Sequence, residues 1–109
     1  MVDFKYILGL LQTYFYDESD EEGIRAVQHD INASDRFAAK WRSFEEIIAA
    51  RALEPDQPLE AVQEGANRVL MDNTDEEAYR WLDLTIKNVA REDGIVESYY
   101  PPKETDSTS

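Results

Sequence analysis

Ser34-Asp-Arg-Phe-Ala-Ala-Lys-Trp-Arg-Ser-Phe-Glu-Glu-Ile-Ile-Ala-Ala-Arg-Ala-Leu53 is the longest periodic stretch of the chain. Phe37, Ala38, Trp41, Phe44, Ile48 and Ala52 follow a three–four spacing, which puts them on one face of a helix. Ser34 is a good helix-starting residue, and Pro55 forbids continuation because it lacks an N–H and its ring clashes with the preceding turn. The pattern predicts a helix from Ser34 to about Leu53. Its length and aromatic content predict a place at the centre of a bundle.

Upstream, Phe4, Ile7, Leu8, Leu11, Tyr14 and Phe15 give the same period, predicting a helix from about Asp3 to Tyr16. Gly9 weakens it by about 1 kcal/mol relative to Ala, which suggests a close packing point there. Ser19-Asp-Glu-Glu22 has the form of a capping box and starts a second helix, with Ile24, Val27 and Ile31 inward and Asn32 and Ala33 at its end. Downstream, a fourth helix is expected from near Pro58 to Asp72, with Leu59, Val62, Ala66, Val69 and Leu70 inward. Thr74-Asp-Glu-Glu77 is a second capping box. The fifth helix follows it through Ala78, Trp81, Leu82, Ile86 and Val89 to a stop at Gly94, a residue suited to a left-handed cap.

Strand signals are poor: no run of β-branched residues alternates, and no Asn-Gly or Asp-Gly lies between two strand-like segments. The expected fold is all-α, a single compact bundle of about five helices over residues 1–96. Residues 97–109 are expected to be a flexible tail, disordered from Pro101 onward. Ile95, Val96, Tyr99 and Tyr100 could fold back onto the bundle or join a contact surface.

Charge sets the limits on function. Eleven Lys and Arg face 24 Asp and Glu among 109 residues, a formal net of -13. Such a chain repels nucleic acid and anionic membrane and attracts a basic protein, whose encounter the long-range field would speed. Acidity that only confers solubility is the bland alternative. No apolar run approaches the roughly 20 residues that span a bilayer, and the start shows no signal-peptide pattern. A cytoplasmic location is expected. The absence of cysteine removes disulfides, thiolate nucleophiles and cysteine-based zinc sites.

Little supports catalysis. His29 is the single histidine, too few imidazoles for zinc and placed on a short amphipathic helix beside Val27 and Ile31. Gly9, Gly23, Gly65 and Gly94 are scattered and form no phosphate-binding loop. The acidic runs 17–22 and 72–77 lack the alternating ligands and central glycine of a calcium loop. Acids in the first turn of a helix complement its dipole and remain open to a partner. No cofactor or metal and no enzymatic activity is expected.

Trp41 and Trp81 lie on apolar stripes and are expected in the core. Tyr14, Phe15 and Tyr16 are consecutive, and a helix cannot bury three successive positions on one face. At least one should be exposed, and an exposed aromatic beside acids has the make-up of an interface hot spot with a charged rim. The candidate partner-binding residues are therefore Tyr16, Asp17, Glu18, Asp20 and Glu21, with Asp72, Asp75 and Glu76 as a second patch.

Three stretches carry a family resemblance: Leu-Gln-Thr-Tyr-Phe-Tyr-Asp at 11–17, Phe44-Glu-Glu-Ile-Ile48, and Ala78-Tyr-Arg-Trp-Leu82. Across about residues 4–92 the chain resembles the small helical immunity proteins of bacterial contact-dependent growth inhibition systems. The resemblance implies binding and neutralisation of the toxic C-terminal domain of a large effector. That basic domain would be a nuclease in many cases, often one acting on transfer RNA. The reading that competes with it is an acidic nucleic-acid mimic or regulatory adaptor, which would bind a basic DNA-handling protein through the same acids.

Overall fold

The computed structural model describes residues 3–97 and 99. Among them are five α-helices and no strand: α1 (Phe4–Phe15), α2 (Asp20–Ala33), α3 (Asp35–Ala49), α4 (Gln57–Glu60) and α5 (Asp75–Ala90). The short α4 runs on into a wider π-helical turn, Ala61–Gly65. The all-α bundle expected from periodicity is the fold.

Local chemistry sets most of the boundaries. The Asp3 carboxylate accepts from the Lys5 amide and caps α1. Ser19 and Glu22 form both halves of the expected capping box on α2. Ser34 serves two helices: its amide donates to the Asp30 carbonyl at the end of α2, and its hydroxyl accepts from the Phe37 amide at the start of α3. No loop separates those helices, so their angle is set at one residue.

Three expected helices end early. α3 stops at Ala49, short of Leu53, because Arg51 takes a left-handed conformation (φ 52°) and its guanidinium donates back to the Ile48 carbonyl at 2.7 Å. Ala52 is consequently exposed. The helix expected up to Asp72 ends at the π turn. There Asn67 is left-handed (φ 58°), and the Arg68 amide reaches back to the Val62 carbonyl at 3.0 Å. Val69, expected inward, is 86% exposed. Similarly, α5 ends at Ala90 and not at Gly94, whose positive φ of 80° falls in the turn beyond.

The core is a single cluster to which α1, α2, α3, α5 and the segment 61–70 all contribute, with Phe15, Ile24, Phe44, Ile48, Val62 and Leu82 among its side chains. Trp41 and Trp81 are each 2% exposed, as expected, and Phe15 meets Trp81 edge-on at 5.5 Å. The centre of the bundle is α5 and not α3. α5 packs on α2, α3, α4 and the π turn, whereas α3 packs chiefly on α2 and α5.

The close approaches fall at glycines other than Gly9. A Cβ on Gly23 would lie 2.4 Å from the Phe15 ring, so α1 and α2 meet where α2 has no side chain. A Cβ on Gly65 would stand 3.2 Å from Leu8 and Leu11 of α1. A Cβ on Gly9 would meet nothing within 4 Å, so the expected packing point is open space. Beyond α5, Glu97 exchanges two backbone hydrogen bonds with the buried Asn88 side chain, at 2.7 and 3.0 Å. Val96 and Tyr99 pack against the core. Glu97 and Tyr99, placed in the tail by sequence, are thus held on the bundle. The expected contact role of Tyr100 and the expected disorder of 101–109 lie outside the described residues.

Candidate functional site

Two loops, one joining α1 to α2 and one joining the π turn to α5, carry the residues singled out by sequence together with the first turns of α2 and α5. Arg68 ties them together. Its guanidinium donates to the Phe15 and Glu18 carbonyls (3.1 and 2.8 Å), to the Ala66 carbonyl (2.8 Å) and to the Asp20 carboxylate (2.8 Å). The Asn67 amide adds a bond to the Tyr16 carbonyl at 3.3 Å. Arg68 also lies 5.8 Å from the Trp81 ring and 6.0 Å from that of Phe15, so its flat face rests on the core while its edges hold loop carbonyls.

The eight candidate residues divide by what these bonds leave free. Of the three consecutive aromatics, Phe15 is buried and Tyr14 is half-buried, donating its hydroxyl to Asp30; Tyr16 is 43% exposed. Burial, then the Asp30 carboxylate, push the Tyr14 hydroxyl well above the usual phenol range. Asp17, Glu18 and Glu76 are exposed, and no hydrogen bond or ion pair among the described residues engages their carboxylates. Asp72 is also exposed and stands 3.6 Å from Arg80. Glu21 is exposed and paired with Arg25 one turn on.

Asp20 and Asp75 have internal work instead. The Asp20 and Arg68 side chains are each only 19% exposed, and their pair closes the first loop. The Asp75 carboxylate accepts from the amides of Asp56 and Leu59, at 2.8 and 3.2 Å. It thereby caps α4 from across the fold, where Asp56 itself is left-handed and makes no side-chain cap.

The second capping box forms only by half. Thr74 accepts from the Glu77 amide, but Glu77 does not reach back to Thr74. Its carboxylate is fully buried and accepts from the amides of Met71, Asp72 and Asn73 at 3.0, 2.6 and 3.2 Å and from the Tyr99 hydroxyl at 2.7 Å. Burial alone would push this carboxyl up; the Tyr99 hydroxyl and the three amides outweigh it and hold Glu77 below its ordinary range. Tyr99 in turn is raised, by burial first and then by its bond to Glu77.

Residues 67–74 therefore form a loop held near one end by Arg68 and at the other by Glu77 of α5, with left-handed Asn67 and Asn73 (φ 58° and 55°) at its two bends. Sequence reasoning missed Arg68, Glu77, Val69 and Met71. The asparagines were the available signal, since Asn tolerates the left-handed region far better than most residues. Helical spacing through Ala66, Val69 and Leu70 concealed it.

Among the described residues no three His, Asp or Glu side chains converge to hold a metal. His29 lies on α2 with its side chain 75% exposed, beside Asp30. No helix of the described residues is long and apolar enough to cross a membrane. Compared with protein families, with curated proteins and with solved structures, the chain matches none.

Proposed function

We propose that this protein is an inhibitor that acts by binding a cationic protein, in the manner of an immunity protein. Its target would be the toxic domain of a contact-dependent growth inhibition effector, one that handles nucleic acid. The observation that carries the reading is the set of exposed carboxylates Asp17, Glu18 and Glu76, which no ion pair among the described residues engages, together with the exposed Asp72. Asp17, Glu18 and Asp72 project from loops that Arg68 and Glu77 hold in place, and Glu76 from the first turn of α5.

The physical logic is direct. A nuclease cleft must be basic to hold phosphate, so a rigid acidic surface fits it, excludes substrate and finds it fast. Carboxylates already neutralised inside the fold could not serve. Those left free by the hydrogen bonding can, and the fixed loops reduce the ordering cost of association.

The test is co-expression with the polypeptide encoded immediately upstream of this gene. Full protection of growth by the wild-type chain is expected, together with loss of protection on combining Asp17→Lys, Glu18→Lys and Glu76→Lys. An upstream product that is harmless, or one still neutralised by the triple variant, overturns the proposal. Salt-sensitive inhibition of several unrelated DNA-binding proteins would favour the nucleic-acid-mimic reading instead.

A further inference from the structure

Four large apolar side chains among the described residues are prominently exposed: Tyr16, Val69, Met71 and Ile95. Three of them sit on the two loops that Arg68 and Asn67 join. A single exposed apolar residue needs no explanation. Val69 differs because of the backbone that carries it.

The residue before Val69 is held by four hydrogen bonds from its guanidinium, and the amides from Met71 to Asn73 are held by the Glu77 carboxylate. Between these clamps Leu70 turns inward at 4% exposure, and Val69 stands outward at 86%. Fixing a residue's backbone costs about 1–2 kcal/mol, and burial of its side chain ordinarily offsets part of that. At Val69 the fold bears the cost and leaves the side chain in water. Such a loop loses little further entropy when the side chain enters a pocket, which is how a preformed binding loop gains affinity. β-branching adds to this by leaving Val69 few rotamers to lose.

We infer that Val69 is the apolar anchor of the partner-binding surface, flanked by Tyr16 and Met71. Its occupant is a cationic protein with a small nonpolar pocket whose Lys and Arg rim faces Asp17, Glu18, Asp72 and Glu76. The inference rests on the proposed function and adds to it the contact that sets residence time. The charges govern encounter and Val69 governs escape.

Photo-crosslinking tests this with the full chain. A benzophenone-bearing phenylalanine replaces the exposed Tyr16, which flanks the anchor, in one sample and His29, on α2, in another, and each is irradiated in a low-salt lysate of its own cells. The expected result is an adduct with one basic protein from position 16 and none from position 29. Unlabelled wild-type protein should suppress that adduct, and Val69→Asp should need at least about tenfold more to do so. This variant adds negative charge at a solvent-facing position, so its weakness could not be a loss of electrostatic attraction or of fold.

If Val69→Asp competes as well as wild type, or a basic protein is trapped from position 29 alone, the anchor is overturned while the cationic-partner reading stands. An adduct with an acidic protein, or none from either position, overturns both.

Discussion

Replacing Glu77 by Gln exchanges a carboxylate that accepts four hydrogen bonds for an amide that turns one end into a donor. That end would face backbone N–H groups that are donors already. The expected cost is about 2–4 kcal/mol, measured by urea denaturation at neutral pH. The native carboxyl binds its proton less readily than the unfolded one. Its stabilisation is therefore full above the ordinary value of 4.5 and is lost as pH falls through the lowered native value. Wild type should lose stability steeply below that point, and Glu77→Gln should show a shallower acid limb.

Asp20 and Asp17 give a second contrast at this scale. Asp20→Lys sets two cations against each other where Arg68 holds the loop, and should cost about 2–3 kcal/mol. Asp17→Lys touches no internal partner and should leave the denaturation midpoint nearly unchanged. Equal effects of the two would contradict the division between structural and free carboxylates.

Helix crossings dominate at the scale of elements. Gly9→Ala meets open space and removes the backbone freedom of a mid-helix glycine, so it should stabilise by about 0.5–1 kcal/mol. Gly23→Ala drives a methyl group to 2.4 Å from the Phe15 ring and should destabilise, because that ring is locked against Trp81. Thermal melts of the two variants should therefore move in opposite directions. The sequence pattern showed where helices begin, since Ser19, Ser34 and Thr74 act through bonds three residues away. It showed poorly where they end. Arg51 and Asn67 are left-handed, and the side chain of each bonds a distant partner, Asp83 for Arg51 and the Tyr16 carbonyl for Asn67. Which glycine lies at a crossing also depends on how helices pair, and one-dimensional spacing carries no such information.

The same limit shaped the site. Exposed acids could be read from composition and period, and Tyr16, Asp17, Glu18, Asp72 and Glu76 do face solvent. That Asp20 and Asp75 are engaged internally follows from contacts 48 and 19 residues apart in sequence. Val69 was legible only as one more apolar residue. Its exposure follows from the π turn ending where a regular helix would have carried it inward.

For the molecule as a whole, a net charge of -13 sits on a scaffold that neutralises only some of its acids. Attraction between opposite charges in solution is screened over about 8–10 Å at physiological salt, so a charge-steered encounter slows as salt rises. Removing the free carboxylates should flatten that dependence, whereas truncating Val69 should leave it intact and speed dissociation.

The most direct measurement is the association rate of the full chain with the basic protein that copurifies with it at low salt, followed by stopped flow across ionic strength. The expected result is a rate that falls about tenfold or more from 10 to 300 mM salt for wild type and far less for the Asp17→Lys, Glu18→Lys, Glu76→Lys variant. A rate indifferent to salt, or a triple variant that associates as wild type does, would contradict it, as would finding no basic partner at any ionic strength.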